Sequence, residues 1–220
     1  MRDHESTTLH ELGEAFSRLF EVRPLRSYGT AKRPRQGFSD GQNGVQWNAG
    51  IDRSRDVLTL GVNLEGMAYD GWPIARLIER EMKRPQLPSL ATMPGLDDCE
   101  LLFTRDAWQA AARLPIKEQY LTPEVPQLLR TLDDPLWLTV LGSARECLDP
   151  GRNYRGRRRQ EVTLLASGAT ALKDVSPHLQ IKCVLAVPTS ASGAAIMNAL
   201  LQAREILTPV HRWMVEQSRP

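Results

Sequence analysis

Apolar residues recur at every second position in two stretches of the chain. Val45, Trp47, Ala49 and Ile51 form one set, and Leu58, Leu60, Val62 and Leu64 form the next. A period of two is that of a strand with one buried face. The two apolar faces coincide when Ile51 lies opposite Leu58 and Val45 opposite Leu64. Arg53-Ser54-Arg55-Asp56 is then a four-residue turn, a common hairpin length. The opposite face carries Gln46, Asn48, Gly50 and Asp52 against Thr59, Gly61, Asn63 and Glu65. It is rich in amides and glycine, and glycine inside a strand often marks close approach of a ligand or another backbone. A solvated sheet face is the plainer interpretation.

A helical period precedes the hairpin. Leu9, Leu12, Phe16, Leu19 and Phe20 form one stripe, and Thr8 and Glu11 have capping-box spacing. The helix is expected to stop near Val22, because Pro24 disfavours helical geometry at Arg23. Residues 24–44 hold four glycines, two prolines and few large apolar side chains. They are expected to be irregular, as a functional arm or as disordered chain.

After the hairpin, Pro73 suits the first turn of a helix with Ile74, Leu77, Ile78 and Met82 on its buried side. Residues 85–95 carry three prolines and predict a connector. Leu101 to Phe103 predict a short strand, and Asp106 to Leu148 a mostly helical region interrupted by prolines. Val162–Ala166, Thr170–Val175 and Leu179–Val187 predict an antiparallel meander. A final helix is expected from about Ala194 to Val215, with Pro209 kinking or dividing it. The order of elements predicts an α+β fold. Its sheet is antiparallel or mixed, built from the hairpin at 45–65 and the meander at 162–187, with helices mainly on one face. The 220 residues fit one such domain.

Composition adds little to this picture, and the placement of charge adds more. The 28 Lys and Arg nearly balance the 26 Asp and Glu. That balance does not by itself imply nucleic-acid binding. Cys99, Cys147 and Cys183 form no CxxC pair, which argues against a disulfide framework or a structural zinc site. No apolar run approaches the roughly 18–20 residues of a membrane helix. The start has no apolar leader region, so cytoplasm is the expected compartment and no membrane partner is expected.

Arginine is clustered. Arg152, Arg155, Arg157, Arg158 and Arg159 fall within eight residues beside Tyr154, between a predicted helix and a predicted strand. Guanidinium groups take phosphates bidentately, and a tyrosine ring can stack on a base. Lys32, Arg33 and Arg35 form a second group, and Arg53 and Arg55 flank the hairpin turn. Shared on one face with Asn48 and Asn63, these groups would make a basic stripe with amides for base edges. Nucleic acid is therefore the expected partner; a protein partner docked through the arginine loop and exposed tryptophans is the alternative.

A metal-dependent nuclease is a further alternative. Asp52 and Glu65 lie at opposite ends of the hairpin, roughly 20 Å apart at about 3.3 Å per residue, so they cannot share one metal. Asp174, Gln180 and Lys182, with Glu161, form a second set, in which Gln180 and Lys182 share a strand face. Such groups hold Mg²⁺ and help activate water in metal-dependent hydrolysis. His178, near Asp174 in sequence, offers acid–base chemistry. No P-loop, dinucleotide-binding loop, nucleophile elbow or HExxH motif is present.

Overall fold

The computed structural model describes residues 2–30, 32, 35–41, 44–65, 73–106, 116–148, 158–175 and 177–220. Of residues 2–7, 147–148, 158–160 and 173–175 it describes the backbone alone. Helix α1 spans Arg2–Phe20, and strands β1 to β4 follow at Arg26–Gly29, Arg35–Ser39, Val45–Asp52 and Val57–Glu65. Helices α2 (Pro73–Lys83) and α3 (Leu87–Ala91) lead to β5 (Glu100–Thr104) and β6 (Gln127–Leu128). Helix α4 (Asp134–Leu148), strands β7 (Arg158–Thr163), β8 (Thr170–Val175) and β9 (His178–Val184), and helix α5 (Gly193–Ser218) complete the chain.

Seven strands form one sheet in the order β1-β2-β3-β4-β9-β5-β6, with every neighbouring pair antiparallel. The fold is α+β, as the element order implies. The hairpin has the register that its alternation dictates, with Ile51 opposite Leu58 and Val45 opposite Leu64. Leu58, Leu60, Val62 and Leu64 are fully buried. Each such side chain stabilises the fold by about 1.5–3 kcal/mol, and a one-residue slip would turn all four outward. Leu179, Ile181 and Cys183 extend this face through β9, and Leu101 and Phe103 through β5. Helices α1, α2 and α5 pack against this side of the sheet.

Several elements differ from the sequence-based expectation. Residues 24–44 contribute β1 and β2, which extend the sheet beyond β3. Their side chains are poor core material, but an antiparallel edge satisfies their backbone groups in the ladder. The meander is divided: β7 and β8 pair with each other in a separate two-stranded sheet, while β9 enters the main sheet between β4 and β5. The apolar inner face of β9, Leu179, Ile181 and Cys183, continues the buried faces of β4 and β5. Helix α1 begins six residues before Thr8, whose hydroxyl donates to the Thr189 carbonyl instead of capping. Residues 116–133 are turns and bends with two isolated bridge residues, β6 and one 3-10 turn, so this part of the middle of the chain is not helical as expected. Pro209 lies inside one continuous helix, held by buried Leu207, Val210 and Trp213 on either side of it. His211 stacks on Trp47 at 5.1 Å between ring centres and is half-buried. Cys99 and Cys183, 84 residues apart, bring their thiols within 2.6 Å in the core.

Four donors converge on one buried carboxylate behind the sheet. Glu81 accepts from the indole N–H groups of Trp137 and Trp213 and from the backbone N–H groups of Gln86 and Leu87, at 2.8–3.2 Å. It ties α2 to α3, α4 and α5.

Candidate functional site

The sheet's second face is polar and buried. Strand alternation places Ser39, Gln46, Asn48, Asn63, Lys182, Glu100 and Thr104 on it, and each is at most 8% exposed. The ladder sets them in rows. Ser39, Asn48, Gly61, Lys182 and Glu100 form one row across five strands, and Gln46, Asn63, Gln180 and Leu102 the next. Burial removes the plain alternative of a wet sheet face.

An ion network occupies one end. Glu100 accepts bidentately from Arg55, at 2.6 and 2.9 Å, and its Oε2 lies 3.2 Å from Lys182 Nζ. Asp52 accepts from Arg35 Nε at 3.1 Å and from the Ser54 hydroxyl at 2.5 Å. Burial raises the pKa of the Glu100 carboxyl, but the Arg55 hydrogen bonds and the Lys182 charge outweigh it and hold the group below its usual range. Asp52 is likewise held low: burial is outweighed by the Ser54 hydroxyl and the Arg35 charge. Lys182 is pushed down by burial and by Arg35, with Glu100 and Asp52 opposing. Among the described residues three cations thus face two carboxylates, Arg35, Arg55 and Lys182 against Asp52 and Glu100.

Glycines shape the surface between these groups. Gly37 and Gly50 are directly opposite each other on β2 and β3, and the Tyr28 hydroxyl lies over them, donating to the Ala49 carbonyl at 3.3 Å. A Cβ at Gly50 would stand 2.4 Å from that hydroxyl, and one at Gly37 would stand 2.1 Å from the Ala49 carbonyl oxygen. The close approach is possible because neither residue has a side chain. Enclosure pushes the Tyr28 phenol up to about 12, although the residue as a whole is 38% exposed.

Three buried polar atoms on this face have no hydrogen-bond partner among the described residues: Asn48 Nδ2, Asn63 Oδ1 and His178 Nε2. His178 lies opposite Glu65 on β4 and Thr104 on β5. Burial pushes its imidazole down to about 4, so the ring is neutral at pH 7.

The sequence-derived residues are distributed unevenly. Asn48, Asn63, His178, Gln180 and Lys182 share the polar face, and Arg35 and Arg55 border it. Arg53 turns toward Gln36, which is opposite Ile51 on the helix-covered side. Asp174 lies on β8 opposite Arg159, in the other sheet from Gln180 and Lys182. Glu161 lies in β7, where its carbonyl accepts from Arg105 at 3.0 Å. Of Arg158, Arg159 and Asp174 the structure describes the backbone alone, and Arg33, Arg152, Tyr154, Arg155 and Arg157 lie outside the described residues. Trp47, Trp137 and Trp213 are buried, so none of the described tryptophans is an exposed docking residue. Among the described residues no group of three His, Cys, Asp or Glu side chains is placed to hold a metal ion.

Glu100 and Tyr28 are not among the sequence-derived residues. Glu100 was legible in principle, since it precedes Leu101 by one position and shares a strand face with Leu102 and Thr104. The Tyr28 contact depends on a strand that its local sequence does not announce.

The site belongs to an antiparallel α+β protein whose sheet is helix-covered on one face and polar on the other. No family model, curated protein or solved structure matches the chain.

Proposed function

We infer that this protein binds nucleic acid through the polar face of the main sheet. The reading is carried by three polar atoms of Asn48, Asn63 and His178 that have no partner among the described residues, beside an ion network in which three described cations meet two described carboxylates. A buried donor or acceptor left without a partner costs about 1–3 kcal/mol, and a base edge that reached it as the face opened would recover that cost. The edge of an unpaired base offers donors and acceptors together, and the adjoining phosphate suits the cations of that network. Arg35 and Arg55, with side chains 44% and 38% exposed, stand at the border where a backbone phosphate would pass. Both are already engaged by carboxylates, so the expected phosphate contact is a shared one.

The test is fluorescence anisotropy with labelled single-stranded and duplex DNA and RNA as salt is raised from about 50 to about 200 mM. Each phosphate neutralised on duplex DNA steepens the dependence of log affinity on log salt by about 0.9. Binding is expected to favour single strands, to weaken with salt, and to weaken again in Asn48→Ala/Asn63→Ala. Absence of binding, or affinity indifferent to salt, overturns the reading.

A further inference from the structure

Cys99 and Cys183 continue the ladder of β5 and β9. Glu100 lies opposite Lys182 and Leu101 opposite Ile181 in this antiparallel pair, so the next position outward sets Cys99 opposite Cys183. Residues directly opposite in an antiparallel ladder have Cα atoms about 4.5–5.5 Å apart. A disulfide spans about 4.4–6.8 Å between Cα atoms, so the ladder itself supplies the separation that the bond needs. The two sulfurs face each other at 2.6 Å.

Both positions are held by the backbone. The Cys99 N–H donates to the Leu96 carbonyl at 3.0 Å, and the Cys99 carbonyl accepts from the Leu129 N–H at 2.9 Å. Cys183 lies between the two strands that flank β9, with Leu60 of β4 on its other side. The two residues are buried in the main core, Cys99 at 1% and Cys183 at 7% exposure. Hydrogen bonding to Cys183 and burial push the Cys99 thiol up, and a buried, protonated thiol is inert to external reagents. A single core cysteine packs as a small apolar residue. Two cysteines 84 residues apart, brought sulfur to sulfur across one ladder position, are placed for a bond.

We propose that Cys99 and Cys183 are a disulfide pair that clamps β5 to β9 beside the Glu100–Lys182 ion pair, formed when a small-molecule disulfide accepts the electrons. One cysteine loses its proton and attacks a sulfur of the oxidant. The S–S bond of the oxidant breaks, and one half leaves as a thiolate that takes up a proton. The second cysteine then loses its proton and attacks the cysteine sulfur of the mixed disulfide, releasing the other half as a second thiol. Two cysteine thiols are oxidised to one S–S bond, and one disulfide is reduced to two thiols. Burial makes the exchange slow in the closed fold and faster while the chain is folding. The bond closes a loop that includes β6, α4, β7 and β8, and Cys147 stays a free thiol. The clamp is independent of what the polar face binds.

The full chain is refolded with hydroxyethyl disulfide, a neutral oxidant, and in parallel with a reductant. Digestion without reduction, followed by mass spectrometry, is expected to find one cross-linked peptide pair, Cys99 with Cys183. The oxidised chain should be monomeric and lighter by two hydrogens, with Cys147 alkylated after denaturation. It should unfold roughly 5–15 °C above the reduced chain, the scale for a disulfide closing a long loop in a domain of this size. This comparison needs no substitution in the core. Cys147→Ser should keep both the cross-link and the shift. A link through Cys147, a disulfide-joined dimer, cysteines that remain thiols or stay bonded to the oxidant, or an unchanged unfolding temperature overturns the proposal.

Discussion

The indole N–H of Trp213 donates to Glu81 Oε1 at 2.9 Å, and the Glu81 side chain has no exposed surface. Trp137 reaches the other oxygen of the same carboxylate at 2.8 Å. Two tryptophans from two helices are thus oriented by a single acidic residue. Glu81→Ala would leave two indole and two backbone donors without their acceptor. The expected loss is at least about 3 kcal/mol, since each buried donor left unsatisfied costs about 1–3 kcal/mol. A urea unfolding midpoint within error of the parent protein would contradict it. Glu81→Gln, which retains an acceptor oxygen, should lose less.

His178 governs part of the acid response. Its folded pKa of about 4 lies below the ordinary 6.5, so the unfolded chain binds the proton first. Stability therefore falls as pH drops from 6.5 toward 4, by up to about 3 kcal/mol when the whole shift is counted. Glu100 and Asp52 add to this at lower pH. Their folded carboxyls titrate below the ordinary 4.5 and 3.8, and their stabilisation is present above those values and lost as pH falls through the folded ones. Replacing His178 with Asn should flatten the decline between pH 6.5 and 4 and leave the lower limb. Thermal unfolding across pH reads both parts.

Tyr28 should titrate apart from the other three tyrosines of the chain. Its phenol ionises at about 12 in the fold and at 10.0 when exposed, so this contribution to stability is lost as pH rises from 10.0 toward 12. Gly50→Ala places a methyl where the hydroxyl sits and should displace it, bringing the phenol back toward 10.0. Ultraviolet absorbance titration of the parent protein, of Gly50→Ala and of Tyr28→Phe identifies the transition. If the late transition persists in Tyr28→Phe, it does not belong to Tyr28.

The partnerless amides separate stability from binding. Asn63→Leu removes an unpaired buried acceptor at similar volume. It is expected to be neutral or to stabilise the free protein by about 1 kcal/mol. The same substitution should weaken nucleic-acid binding. Chemical denaturation combined with anisotropy measures the two effects on one sample. A destabilisation above about 2 kcal/mol would mean that the amide has an internal partner.

The hairpin, the positions of α1, α2 and α5, and the α+β class were legible in the sequence, because local periodicity sets which side of an element is buried. Alternation alone put Asn48, Asn63, Gln180 and Lys182 on strand faces opposite the apolar ones. It did not say that this second face is buried, or that β9 lies beside β4. That placement makes a row of Asn48, Gly61, Lys182 and Glu100 from residues up to 134 positions apart. The Arg55–Glu100 pair, the Tyr28 hydroxyl over two glycines and the carboxylate shared by two tryptophans likewise join distant segments. Such contacts depend on strand order and helix docking, which minimise exposed apolar surface over the whole chain. Sequence pattern fixed which way each side chain faces; only the tertiary structure decided what it meets.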